Sequence, residues 1–252
     1  MCAAKLRGMD QVLKMRPDGF RERGGEVTRM EAFVDAAFAF ALTMLVISVG
    51  AIPDTVPKLI DAMKGIPAFA GSFALIAMFW SQHVTWSRRF GLDDGGSVRL
   101  SLLLVFLVMV FVYPLKAMAA LLFGWLSGGW LPYGFSDDMT LDGLRTMFVL
   151  FAAGYGSMAV VISLLYLRAW RQRESLELSI DEQVGTIVRI VDGGKSVAVA
   201  SLSVIVALLL PARPPQWLLG APGMVYALMV FSGLLRAAVA RRVRKQLLEK
   251  AA

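Results

Sequence analysis

The stretch Arg29–Met44, RMEAFVDAAFAFALTM, decides how the chain is read. Its charges are Arg29, Glu31 and Asp35, and none follows until Asp54. An apolar run that starts from a charged edge reads as a membrane helix, because the hydrocarbon core demands about 20 predominantly apolar residues per span. Six such runs occur: Phe33–Val49, Ile66–Val84, Leu100–Leu122, Leu144–Leu167, Val197–Leu210 and Trp217–Ala240. The whole chain agrees. It has 252 residues, 57% hydrophobic and 18% charged, and a mean hydropathy of +0.64, too apolar for a soluble globular protein.

The formal charge of +7 has a simpler cause than nucleic acid. If six spans alternate, 21 of the 26 Lys and Arg fall on one side: the N-terminal arm, the two connections Arg88–Arg99 and Arg168–Lys195, and the tail from Arg236. Lys58, Lys64, Arg145 and Arg213 fall on the other, and Lys116 snorkels outward. The positive-inside rule then places both termini in the cytoplasm of a multi-pass membrane protein, with lipid as its surroundings and no nucleic-acid partner. The N-terminal region has no apolar core before Ala32, so it lacks the shape of a cleavable signal peptide and the first span is retained. The one cysteine, Cys2, excludes an internal disulfide and a cysteine-based metal site, and the one histidine, His83, leaves no histidine cluster. No phosphate-cradling glycine loop or paired intramembrane carboxylates suggest an enzyme, and no cofactor is expected.

The predicted organisation is an arm over 1–27, loosely ordered or amphipathic, and a six-helix membrane domain over 28–252, with spans near 28–50, 66–88, 99–123, 141–169, 194–210 and 217–240. Between the first two, AIPDTVPKLIDAMKGIP is too polar to span and predicts a short interfacial helix, with Pro57 in its first turn. RFGLDDGGSVR reads as a tight turn, and Trp125, Trp130 and Tyr133 in GWLSGGWLPYGFSDD as an aromatic belt. From Arg168 to Lys195 a polar helix extends span four and turns at Gly193 and Gly194, and the second half of the chain has no broken helix.

On a wheel of 100° per residue, Arg29, Phe33, Ala36, Phe40, Thr43 and Ile47 share a wedge of about 80°, and Asp35 lies about 140° from Phe40. The charge and the mixed stripe are therefore not one site. An ionised Asp inside a span costs several kcal/mol unless it is paired, so Asp35 is expected to face protein, with His83 and Arg29 as partners and Trp80 one turn before His83. Such a group either clasps helices together or relays protons or cations.

Three segments carry a family resemblance. R-x-x-x-F-x-D, at Arg29, Phe33 and Asp35, with the run Ala37 to Val46 that follows it, resembles the opening helix of the transmembrane protein 175 family of lysosomal and prokaryotic potassium channels. FWSQHVTWSRRF resembles the family's Trp and His pair, at Trp80 and His83, and LLLVFLVMVFVYPL its apolar segment ending in Pro, at Pro114. The similarity covers residues 29 to about 123. It implies an all-α subunit of six spans that assembles as a homotetramer around a pore lined by the first helix. It also implies a constriction at Phe40, Thr43 and Ile47, the stripe the wheel isolates, and K+ as the permeant ion among monovalent cations. Two positions depart from the family: Val34 stands where Ser is usual, and Phe40 where Ile or Leu is usual. Nothing resembles T-V-G-Y-G, so selection would come from partial dehydration at an apolar gate. A proton-coupled transporter using Asp35, or a channel relative that no longer conducts, are the alternatives.

Overall fold

A computed structural model describes residues 14–47, 53–134 and 140–251. Cys2, Lys5, Arg7, Val49 and the end of the aromatic-belt loop from Phe135 to Asp138 lie outside the described residues. The fold is all helical. Helix α1 (Arg29–Ile47) opens with a reciprocal cap: Glu31 N–H donates to Thr28 Oγ1 (3.1 Å), and Thr28 N–H donates to the Glu31 carboxylate (3.0 Å). Helix α2 (Val56–Lys64) starts at Thr55 with Pro57 in its first turn, and bends by 40° at Gly65 into α3 (Ile66–Phe90). Asp94 caps α4 (Gly95–Leu126), which runs through Pro114, and Thr140 caps α5 (Leu141–Arg171). Among the described residues, five helical segments are each long and apolar enough to cross a membrane, and the bent α2–α3 pair, taken as one span, makes a sixth.

Two expectations for the second half are corrected. The chain does not turn at Gly193–Gly194. It turns over Gln172–Ser179, where Glu177 takes φ +47°, and α6 (Ile180–Leu208) then runs through both glycines. A Ser179/Glu182 capping box starts α6 fourteen residues before the predicted span. The diglycine reads as a breaker in isolation, but Gly193 packs against Ser163 and Gly156 against Ala200, so small residues let α5 and α6 close on each other. The last span is also not one regular helix: α7 (Gln216–Leu219) and α8 (Ala221–Met224) lead into a 3-10 segment, Val225–Phe231, before α9 (Ser232–Ala251). Pro222 lies in α8, where it cannot donate to a helical ladder.

The core forms where α1, α3, α4 and α5 converge, on Phe38, Phe79, Trp86, Leu104, Met158 and Leu165, all buried. Ion pairs show which ends lie together. Arg89 meets Asp18, Arg88 meets Glu22, Arg168 meets Asp94, Arg23 meets Glu182 and Arg244 meets Asp181. The arm, the C-terminal ends of α3, α5 and α9 and the N-terminal ends of α4 and α6 therefore share one basic end of the bundle.

The arm is the third correction, since its described part is held in place. Residues 15 and 21 form an antiparallel bridge that tucks Phe20 edge-on to Phe90 and beneath the Arg89 guanidinium, 3.9 Å from the ring centroid. The next residues bond α3 directly: Arg23 and Gly24 N–H both donate to Arg88 C=O (3.2 and 3.1 Å). No side chain fits that contact. A Cβ on Gly24 would sit 2.6 Å from the Ser87 carbonyl oxygen, and Gly91, at φ +56°, brings its backbone against Arg23. Gly24→Ala is expected to lower stability by about 1–3 kcal/mol, seen as a lower unfolding midpoint in detergent.

The arm also titrates. Burial works against the charge on Asp18, but the hydrogen bond and charge of Arg89 outweigh it, and the carboxyl lies below its usual 3.8. A depressed carboxyl contributes stability that is complete above the unfolded value and is lost as pH falls through the lower folded one. Hydrogen exchange of residues 14–25, corrected for intrinsic rates, is expected to be unchanged as pH falls from neutral toward the usual carboxyl value of 3.8 and to accelerate only below it.

Candidate ion pathway along the first helix

Helix α1 has two faces of opposite character. Glu31, Val34, Phe38, Ala41 and Leu45 are buried against α3 and α4. Their spacing of three and four residues makes a continuous seam. Arg29, Phe33, Ala36, Phe40, Thr43 and Ile47 repeat on the same spacing, centred about 160° away by the 100° step, and all six are exposed. Phe33, Phe40 and Ile47 are 54, 52 and 64% exposed, which for large apolar side chains in a line is an unfilled contact surface.

One polar atom lies in that line. The Thr43 hydroxyl donates to Ala39 C=O at 3.0 Å, one turn back. Its proton is thereby committed to the helix and its oxygen lone pairs are left facing outward, which is the polarity that suits a cation. Phe40 and Ile47 flank it one turn on each side.

Asp35 lies off the stripe, and its expected clasp with His83 and Arg29 is not what the fold makes. Trp80 Nε1–H donates to Asp35 Oδ1 at 2.8 Å, tying α1 to α3, and the carboxylate stays exposed rather than buried. His83 is buried instead against α4, with Nε2 2.9 Å from Ser101 Oγ, and its ring leans on Trp86, whose Nε1–H reaches Leu165 C=O at 2.9 Å. Arg29 is exposed and joins no ion pair among the described residues. The motif residues thus serve two separate ties: Asp35–Trp80 between α1 and α3, and His83–Ser101 with Trp86–Leu165 joining α3 to α4 and α5.

Ser101 and Trp86 were not singled out from sequence. A signal existed for Ser101. Ser97 and Ser101 are one turn apart on a predominantly apolar helix, and a buried imidazole needs a hydroxyl or carbonyl partner. Glu182 was also missed. Fully buried, it accepts from Arg23 Nη1 (2.8 Å) and Nη2 (3.0 Å), from Arg21 N–H (2.8 Å) and from Ser179 N–H (2.9 Å).

These features define an all-helical multi-pass membrane protein whose first helix is packed on one face and bare on the other. The chain belongs to the TMEM175 family, whose model, described as "Endosomal/lysosomal potassium channel TMEM175", matches residues 29–114, the segment holding the bare stripe and the Asp35–Trp80 and His83–Ser101 bonds. A protein of Marivirga tractuosa named "Potassium channel" is 32% identical over 209 residues, covering 80% of this chain and 83% of its own length. The crystal structure of a variant of the potassium channel MtTMEM175, bound to a nanobody–MBP fusion, superposes with a TM-score of 0.74 at 29% identity, over 91% of this chain and 100% of that one. A lysosomal potassium-selective channel TMEM175 homologue from Chamaesiphon minutus, 19% identical, shares the fold at a TM-score of 0.52 over 82% of this chain and 96% of its own. The family is one of ion channels, not of enzymes.

Proposed function

We propose that this chain is one subunit of a homotetrameric, potassium-permeable cation channel of the bacterial inner membrane, with its basic end in the cytoplasm and α1 lining a central pore. The observation that carries the reading is the bare stripe Phe33–Phe40–Thr43–Ile47 opposite a fully packed seam on the same helix. Four copies meeting on that stripe cover apolar surface that one subunit leaves open, and they converge four Thr43 oxygens on an axis between rings of Phe40 and Ile47.

Permeation through such a pore is governed by dewetting. Four phenylalanine rings present no hydrogen-bonding atom, so an ion passing Phe40 sheds water without replacement, and Thr43 offers weak compensation just beyond. Sodium holds its water more strongly than potassium, so the barrier is higher for sodium, while no cage sized for potassium makes the preference steep. Asp35 serves helix packing here, because Trp80 already occupies it on the flank away from the stripe.

Thiol labelling tests which face meets the ion. In a Cys2→Ser background, Thr43→Cys channels in liposomes are expected to lose about fivefold or more of their potassium flux on treatment with a charged methanethiosulfonate, while Val34→Cys, on the buried seam, is unaffected. Block at Val34→Cys and not at Thr43→Cys would reverse the assignment of faces.

A further inference from the structure

Between α3, α5, α6 and α9 lies a second polar space that the ion pathway does not use. It is a cavity of about 460 Å³, within the roughly 300–1,000 Å³ typical of small-molecule sites. Its charged wall is formed by Arg189, Asp192 and Lys195 of α6 and Arg236 of α9. Asp192 accepts from Lys195 Nζ at 2.9 Å and from Arg236, so two of the wall's three cations share its one carboxylate. Arg189 is the uncompensated one: it makes no ion pair or hydrogen bond among the described residues, and neither do the side chains of Gln82 and Thr85 on the α3 wall. A half-buried cation facing idle polar side chains across a cavity is a site with its recognition groups unspent.

Depth identifies the ligand. At 1.5 Å per residue α6 is about 43 Å long against a hydrocarbon core of about 30 Å, so with Leu208 at the far boundary, Arg189 lies at the near one and Lys195 about two turns inside. Arg189 is thus at headgroup level, with Lys195 and Arg236 reaching toward it from just below. Beyond the cavity α9 continues as Arg241, Arg242, Arg244 and Lys245 toward the same basic end, which draws negative charge to that side. The planar guanidinium of Arg189 suits two phosphate oxygens at once, where a carboxylate-paired lysine does not.

We propose that this cavity takes the phosphate of an anionic phospholipid headgroup, with Arg189 as its main contact, Lys195 and Arg236 as flanking charges, and Gln82 and Thr85 donating to headgroup oxygens. The site is independent of the pore, and the test reads binding without flux, so its failure and the failure of the channel reading are separate results.

The full-length protein, in neutral detergent, is titrated with mixed micelles containing phosphatidylglycerol or phosphatidylcholine alone, and its thermal unfolding is followed. Phosphatidylglycerol is expected to raise the midpoint by about 3 °C or more through binding to the folded state, and phosphatidylcholine not to. Arg189→Gln, read against its own lipid-free baseline, is expected to abolish the shift, Arg189→Lys to keep part of it, and the tail variant Arg241→Gln/Arg242→Gln to keep most. An equal shift in Arg189→Gln, or none in the wild type, overturns the site. An equal shift from inorganic phosphate at the same total phosphate overturns the lipid assignment.

Discussion

Liposomes carrying Phe40→Ala are expected to release potassium about tenfold or more faster than those carrying the wild-type chain, and to discriminate less between potassium and sodium. The rate rises because four apolar rings are removed from the narrowest part of the proposed pathway, and water can then bridge the gap they dewetted. Discrimination falls for the same reason, since an ion that keeps its shell is not asked to pay for losing it. The fold does not stand in the way of the test. Phe40 is half exposed in the subunit and belongs to no buried cluster, so truncation leaves no cavity there, and the stability of the subunit is expected to change by no more than about 0.5 kcal/mol. A soluble, tetrameric Phe40→Ala with wild-type flux would remove Phe40 from the pathway. Flux equal to wild type in Thr43→Val as well would remove the stripe.

Glu182→Gln is the largest expected loss of stability. The carboxylate is 0% exposed and receives a two-pronged hydrogen bond from Arg23, itself largely buried, together with Arg21 and two backbone amides. Removing the charge leaves the largely buried Arg23 guanidinium, and the part-exposed Arg21 beside it, without a counter-ion, at a cost of about 3 kcal/mol. The neutral amide also puts an N–H₂ where an acceptor is needed, so one of the donors it faces goes unpaired. The loss is expected to show twice, as a lower unfolding midpoint and as new protease cleavage among Arg16, Arg21 and Arg23 once the arm detaches. Glu174→Gln is the control, since that side chain is 88% exposed and pairs only with its neighbour Arg173. An unchanged midpoint and an uncut arm in Glu182→Gln would show that the buried charge network contributes little.

The apolar runs were legible because a span must satisfy its backbone internally, and length and hydropathy alone report that demand. The two faces of α1 were legible for a similar reason, since helical period places Phe40, Thr43 and Ile47 together whatever packs behind them. Partner choice was not legible. Trp80 and His83 are less than one turn apart, so the angular register of α3 decides which of them meets Asp35, and hydropathy carries no register. The path of α6 was obscured by Asp192–Gly193–Gly194, which marks a turn unless a neighbouring helix needs close approach. The order in the arm rests on Phe20 meeting Phe90 and on Arg23 meeting Glu182, contacts 70 and 159 residues apart in sequence that no local pattern announces.

The clamp on the arm also turns α1 into a lever. Its base at Thr28 is four residues from Gly24, which is bonded to the end of α3, and Leu45 near its far end is buried in the seam against α3 and α4, so α1 swings together with the helices packed behind it. A rod that turns about one end, with what is packed on it, moves in proportion to distance from the pivot. A tilt of about 5° around Thr28 displaces Phe40 by about 1.6 Å and Ile47 by about 2.5 Å at 1.5 Å of rise per residue, and Phe33 by less than about 0.7 Å. In the proposed tetramer, radius would therefore be adjusted by swinging rather than by sliding, with the ring at Ile47 moving most and the one at Phe33 nearly stationary.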